Sequence, residues 1–312
     1  MARERLPLTV IGGFLGAGKT TLLNRWLREA GGRRIAVLVN DFGALNIDAE
    51  LVAAASGDTI ALTNGCVCCQ IGDDLSRALI AVLESRTAFD AVVIEASGVS
   101  DPWRIAQLGL ADPGLALDGV IVLVDAGAAL QQSRDPLLAD TLERQLRAAD
   151  LIVLNKTDDA TPQDVARVSA WAASIAGRTL QWETTQARVP LALLTSQGLP
   201  AARGHHAACS HETHAHAGAH DHGSQFDTWS CRPEGVFAPT ALRAWLKDTP
   251  EGLLRLKGLL RTGEAEWSEI QFAGRRGTLR RTEAPANGAA LVAIGLRGQL
   301  PAAALEAQFV HG

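Results

Sequence analysis

The chain has 312 residues, 47% of them hydrophobic and 20% charged, with a formal net charge of −5. That length suits two domains, each with its own core, in a protein of ordinary globular composition. The acidic balance argues against a general nucleic-acid or membrane-surface binder, and no stretch reaches the about 18 apolar residues of a membrane helix.

The start, Met1 to Gly13, has Arg3 and Arg5 and a short apolar run broken by Pro7, which is not the pattern of a secretory signal. A cytoplasmic, reducing compartment is expected, where clustered cysteines serve metal binding or catalysis rather than disulfides.

Leu8 to Gly12 reads as a short buried strand that runs into Gly13-Phe-Leu-Gly-Ala-Gly-Lys-Thr20. This is the phosphate-loop pattern in its strand–loop–helix setting. Gly13, Gly16 and Gly18 let the backbone fold tightly, so that N–H groups from Ala17 to Thr21 face phosphate. Lys19 is expected to reach the β- and γ-phosphates, and the Thr20 hydroxyl to bind Mg²⁺. The helix that follows carries Leu22, Leu23, Trp26 and Leu27 and stops at Gly31-Gly32.

Ile35 to Asn40 reads as a second buried strand. Asp41, just beyond its C-terminal end, lies where open α/β sheets place ligands and is a candidate Mg²⁺ contact or a turn-capping aspartate. Thr59 to Leu62 is a third expected strand. It delivers Asn64-Gly-Cys-Val-Cys-Cys69, in which three of the five cysteines fall within four residues. Core packing does not ask for adjacent thiols, whereas a soft or borderline metal or thiol–disulfide chemistry does. Cys66, Cys68 and Cys69 are therefore the candidate metal ligands. From Asp73 a helical pattern continues to about Arg86.

Asp90-Ala-Val-Val-Ile-Glu-Ala-Ser-Gly98 is an apolar strand tipped by an acid and then a glycine, the shape of a Walker B strand. Glu95 is the candidate to orient Mg²⁺ or the attacking water, and Gly98 to approach the γ-phosphate through its backbone. Gly119 to Asp125 reads as another parallel-type strand and about Ala139 to Ala149 as a helix. Leu151-Ile-Val-Leu-Asn-Lys-Thr-Asp158 then ends a strand in Asn-Lys-x-Asp, the guanine-reading pattern. The Asp158 carboxylate suits the N1–H and N2–H₂ donors of guanine, whereas adenine presents it with an acceptor. A hydrogen-bonding site of that kind discriminates by about 10⁴ or more. The stem of Lys156 is expected to cover the base and Asn155 to tie its loop to the phosphate loop. A helix from Pro162 to Ala176 and a strand near Pro190 to Leu194 are expected to complete the domain, with Thr195 to Gly198 contacting the guanine edge.

Composition then shifts. Seven of the eight histidines lie between His205 and His222, among alanine and glycine. Without apolar periodicity this reads as a mobile linker. His205, His206, Cys209, His211, His214, His216, His220 and His222 form a second candidate metal-binding set of low selectivity. From Phe226 an αβ domain follows, with a helix opening at Pro239 and strands over Gly252–Leu260, Trp267–Ala273, Thr278–Thr282 and Ala289–Leu296. Trp229, Trp245 and Trp267 read as core, and the Arg255–Arg281 basic cluster, interleaved with Glu264, Glu266 and Glu269, as a solvated sheet face. The organisation expected is an α/β P-loop GTPase domain over 1–198, with a mostly parallel sheet and helices on both faces. A histidine-rich linker (199–224) and a smaller α+β domain (225–312) follow.

These motifs together resemble the CobW-type P-loop GTPases, metal chaperones that include nitrile hydratase activators and zinc-transfer proteins. The resemblance covers nearly the whole chain. It rests on the phosphate loop through Asn24, Asn40-Asp-Phe-Gly43, Gly65-Cys-Val-Cys-Cys69, Glu95-Ala-Ser-Gly98, Asn155-Lys-Thr-Asp158, the histidine-rich linker and Arg255-Leu-Lys-Gly258. It implies GTP and Mg²⁺ binding, hydrolysis and delivery of a divalent metal (zinc, with cobalt or iron as other choices) to a client metalloprotein. GTP-linked homodimerisation would suit this class. The family commonly shows Asn-Glu-Phe-Gly-Glu after the second strand, and here Asp41 and Ala44 replace those two acids. With no glutamine or arginine finger assignable, turnover is expected to be slow. Two other readings compete: a metal buffer or sensor that uses the histidine loop, and a small-metabolite kinase that uses the phosphate loop alone.

Overall fold

A computed structural model describes residues 5–39, 71–85, 89–195, 210–212, 226–274, 276–285 and 288–310. The chain divides into two compact units, Arg3–Thr195 and Ser196–Gly312. No helix among the described residues is long and apolar enough to cross a membrane.

The first unit is built on a six-stranded sheet in the order β2 (Ile35–Val39), β3 (Ala91–Glu95), β1 (Leu6–Gly13), β4 (Leu115–Asp125), β5 (Leu151–Asn155) and β6 (Leu180–Glu183). Every pair is parallel. Sequences such as Ile35-Ala-Val-Leu-Val39 and Leu151-Ile-Val-Leu154 are apolar without alternation, and all their residues are buried. That pattern belongs to strands covered on both faces, as parallel crossovers require. Leu8, Val10, Leu38, Ile94, Val122 and Ile152 form one cluster with helix residues such as Leu79, Ile105, Leu146 and Val168.

Parallel pairing also aligns every strand's C-terminal end along one edge. The register sets Ile11 beside Glu95, Gly13 beside Leu123 and Asp125 beside Asn155. The phosphate loop, the acid-tipped strand and the Asn-Lys-Thr-Asp loop are therefore brought together by the sheet itself, at the edge where such folds bind ligands.

Helix boundaries follow local chemistry. Asp101 caps the helix Pro102–Ala111 by accepting from Trp103 N–H at 2.9 Å. Thr161 caps Pro162–Ala176 by accepting from Asp164 N–H at 3.2 Å. The Thr161 hydroxyl and then the Arg167 guanidinium hold the Asp164 carboxyl below its ordinary range.

Three expectations are corrected. The run near Pro190–Leu194 is a helical turn, Leu191–Leu194, and the last strand of the sheet is Leu180–Glu183. A four-residue apolar run does not distinguish helix from strand, and Pro190 precedes it as the N-cap. The histidine-rich segment is not structureless throughout: Ser210–Glu212 forms β7, paired antiparallel with β8 (Phe226–Cys231), so that His211 sits opposite Trp229. A short edge strand is held by backbone hydrogen bonds and needs no apolar periodicity. Finally, Arg255 is only 6% exposed, so the basic cluster is not solvated throughout.

The second unit is a six-stranded antiparallel sheet in the order β11 (Arg276–Thr282), β10 (Trp267–Ala273), β9 (Leu253–Arg261), β12 (Ala290–Leu296), β8 and β7. Buried residues alternate along β10. Helices Pro239–Lys247 and Ala302–Phe309 contribute Leu242, Leu246, Leu305 and Phe309 to its core. Phe309 packs at centroid distances of 5.1 Å from Trp245, 5.9 Å from Phe237 and 6.4 Å from Trp229. Trp229 and Trp245 thus belong to this cluster, while Trp267 falls on the opposite side of β10 from Ile270 and Phe272.

Candidate functional site: a phosphate loop facing a buried acid

The phosphate loop leaves β1 at Gly13 and enters the helix Lys19–Glu29 through Gly18. Its glycines are required at two places. Gly13 has φ 132°, and a Cβ there would lie 2.5 Å from the Leu123 carbonyl oxygen. Gly18 has φ 104°, and a Cβ would strike the amide of Asn155. Both positions combine a left-handed backbone with close approach, which only glycine tolerates. Lys19 is 8% exposed and its ammonium donates to the Phe14 carbonyl at 3.3 Å, lying across the loop it is meant to serve.

Thr20 Oγ1 donates to Glu95 Oε1 at 2.8 Å, although the two residues are 75 positions apart. Glu95 is 3% exposed. A hydroxyl and a carboxylate oxygen placed together beside a phosphate loop form a hard oxygen donor pair, which fits Mg²⁺. Beyond Glu95, Ala96 N–H still bonds to Ile11 O at 2.8 Å, and the chain then turns at Ser97–Ser100. Gly98 lies against the phosphate loop: a Cβ there would be 2.6 Å from the Leu15 side chain and 2.8 Å from its backbone nitrogen.

At the far side, Asn155 joins two loops. Its Nδ2 donates to Ala17 O at 2.9 Å, and its Oδ1 accepts from Ala187 N–H at 2.8 Å. Lys156 takes a left-handed conformation, φ 59°, and its ammonium pairs with Asp125 at 2.7 Å. Asp125 in turn accepts from the N–H groups of Gly127 and Ala128, which fixes the carboxylate. Asp158 is exposed at the open side of this loop.

Of Thr195 to Gly198, expected at the guanine edge, Thr195 alone is among the described residues. It is 3% exposed and its N–H closes the short helix onto Leu191 O at 3.1 Å. The loop beside Asn155 and Thr157 is Thr184–Arg188, which follows β6. Thr184 O accepts from both Thr157 N–H and Thr157 Oγ1 at 3.2 Å. Gln186 and Ala187 are successive non-glycine residues at φ 49° and 51°, a costly arrangement that the Asn155 bond helps to hold. One signal could have located this loop. The helix before it ends at Gly177, and αβ connections in such sheets run about 2–6 residues, which puts the next strand near 180 rather than 190.

Asp41, Ala44, Cys66, Cys68, Cys69 and Ser196 to Gly198 lie outside the described residues. So do His205, His206, Cys209, His214, His216, His220 and His222. Among the described residues there is no cluster of three or more metal-ligating side chains.

A parallel sheet that ends in a phosphate loop, a buried acid and an Asn-Lys-Thr-Asp loop is the frame of a P-loop GTPase. Comparison with known families agrees. The model for the CobW/HypB/UreG nucleotide-binding domain matches residues 7–181, and that for the cobalamin synthesis protein cobW C-terminal domain matches 226–311. The chain is 34% identical over 294 residues to the zinc chaperone CobW of a Sinorhizobium species, covering 81% of each. It is 40% identical over 163 residues to the zinc chaperone YjiA of Escherichia coli, 50% of each. It is also 34% identical over 168 residues to zinc-regulated GTPase metalloprotein activator 1 of Schizosaccharomyces pombe, 50% of this chain and 40% of that one. The chain belongs to the CobW/HypB/UreG family, with a CobW C-terminal domain.

Proposed function

We propose that the protein is a GTP-hydrolysing metallochaperone. It holds a divalent transition metal, zinc first among the choices, at Cys66, Cys68 and Cys69, and passes it to a client metalloprotein under nucleotide control. The zinc-chaperone names of its relatives support the cargo, and the residue pattern of Gly65-Cys-Val-Cys-Cys69 supports the ligands.

The observation that carries the nucleotide half is the 2.8 Å hydrogen bond between Thr20 and Glu95 beside Lys19. Backbone N–H groups of Gly16 to Thr21 cradle the phosphates, and the Lys19 ammonium neutralises charge at the β–γ bridge. Thr20 and Glu95 would hold Mg²⁺, which supplies further charge neutralisation when bound. Gly98 offers its peptide to the γ-phosphate, Asp158 reads the guanine edge, and Lys156, steadied by Asp125, covers the base. Catalysis is then positioning plus electrostatics, and turnover is slow until a client docks. Contact of the γ-phosphate with the turn after β3 favours retention of the metal, and its loss releases the metal.

The test is coupling. Zinc affinity is measured in a variant lacking residues 205–222, once with a non-hydrolysable GTP analogue and once with GDP. Affinity should fall on going from the analogue to GDP. Equal affinity in both states would point instead to a metal buffer in which nucleotide is a bystander.

A further inference from the structure

The helix Ala139–Ala148 is amphipathic. Arg144 and Arg147 pair with Asp140 and Glu143 on its outer side, while Leu142, Gln145, Leu146 and Ala148 are buried. Position 145 lies in the stripe where such a helix places hydrocarbon, and leucine would fill the same space. Instead it carries a primary amide that is 2% exposed. A buried amide is costly unless its hydrogen bonds are made.

Both bonds from Gln145 Nε2 go to one turn. They reach Gly98 O at 3.0 Å and Ser100 O at 3.1 Å. The same turn is closed on itself by Ser100 N–H and Ser100 Oγ, which donate to Ser97 O at 3.0 Å and 2.8 Å. On its other side Gly98 rests on Leu15 of the phosphate loop. The turn is the first stretch after Glu95 to leave the sheet, and it ends where Asp101 caps the next helix. Gln145 therefore reaches across from a separate helix to fix the turn that follows the buried acid and rests on Leu15 of the phosphate loop.

We propose that Gln145 is a positioning residue for GTP hydrolysis: its amide holds the Gly98–Ser100 turn at the height from which the Gly98 peptide meets a γ-phosphate. This inference rests on the GTPase reading above. A GDP molecule has no group that reaches the turn, so loosening it weakens GTP and slows hydrolysis while sparing GDP. A purely structural amide would lower stability and leave the preference between the two nucleotides where it was.

The experiment compares the full-length wild type with Gln145→Leu and Gln145→Asn, and with Val168→Ala as a core-destabilised control away from the turn. For each, kcat for GTP is measured together with Kd for GDP and for a non-hydrolysable GTP analogue, and the thermal midpoint is recorded. Gln145→Leu should lower kcat by about tenfold and weaken the analogue, with the Kd for GDP within about twofold of wild type. Gln145→Asn, whose shorter amide reaches one carbonyl at most, should fall between. Val168→Ala should lose stability without altering the ratio of the two Kd values. Wild-type kcat and ratio in Gln145→Leu, or equal weakening of both nucleotides, overturns the proposal. Should Gln145→Leu fail to fold, the ratio in Gln145→Asn decides by the same criterion. A wild type that neither binds nor hydrolyses GTP overturns the GTPase reading itself, a result distinct from any behaviour of Gln145.

Discussion

Asn155 shows how much of the site depends on a single side chain. One amide ties the phosphate loop to the loop after β6, at 2.9 and 2.8 Å, and is 2% exposed. Its neighbours divide the remaining work, and two substitutions separate their roles. Lys19→Ala removes the only phosphate-facing charge assigned to the loop. GTP hydrolysis should become undetectable while the circular dichroism spectrum stays that of the folded protein; retained kcat would sink the phosphate-loop assignment. Asp158→Asn converts a double acceptor into a group that also donates. Guanine should then bind at least about tenfold more weakly relative to xanthine, because the new amide N–H meets the guanine N2–H₂ donor where xanthine presents an acceptor. Competition between GTP and xanthosine triphosphate reads this directly, and an unchanged preference would return weight to a small-metabolite kinase.

At the scale of elements, the parallel sheet is what turns separate motifs into one site. Its central strands are apolar on both faces, so their stability comes from burial rather than from any single polar contact. Leu154 is fully buried one residue before Asn155. Leu154→Ala should cost about 2–5 kcal/mol by urea denaturation, as large-to-small changes in a tight core do. Nucleotide affinity should fall with it because the strand end carries the loop proposed to read the base. A loss below about 0.5 kcal/mol would mean that this strand is less tightly packed than its burial indicates. The elements that escaped sequence reading share a physical trait. Leu180–Glu183 holds Gln181, Trp182 and Glu183 at half-buried or exposed positions, so its pattern carries almost no apolar signal. Ser210–Glu212 is shorter still. Both are edge strands, recruited by a neighbour's backbone rather than by their own side chains.

For the whole molecule, binding of a nucleotide to the folded P-loop unit must add to its stability by mass action. GDP with Mg²⁺ at a hundredfold excess over its Kd should stabilise that unit by about 2.7 kcal/mol, and ATP at the same concentration should leave its unfolding midpoint unmoved. A matching shift with ATP would remove the guanine assignment while leaving the phosphate loop in place.

Length, composition and contiguous motifs determined by themselves that this is a two-part αβ protein with a phosphate loop, an acid-tipped strand and an Asn-Lys-Thr-Asp loop. Those features are local: a glycine pattern, an apolar run or a strand-end acid declares itself within ten residues. Which groups meet was decided only by the tertiary structure. Thr20 and Glu95 are separated by 75 positions, and Gln145 and Gly98 by 47. Such pairings are set by strand order and register, which arise from burying the whole sheet at once. The same holds for the loop Thr184-Thr-Gln-Ala-Arg188: spacing from Gly177 suggests where it lies, but only the pairing of β6 with β5 brings Ala187 to the amide of Asn155.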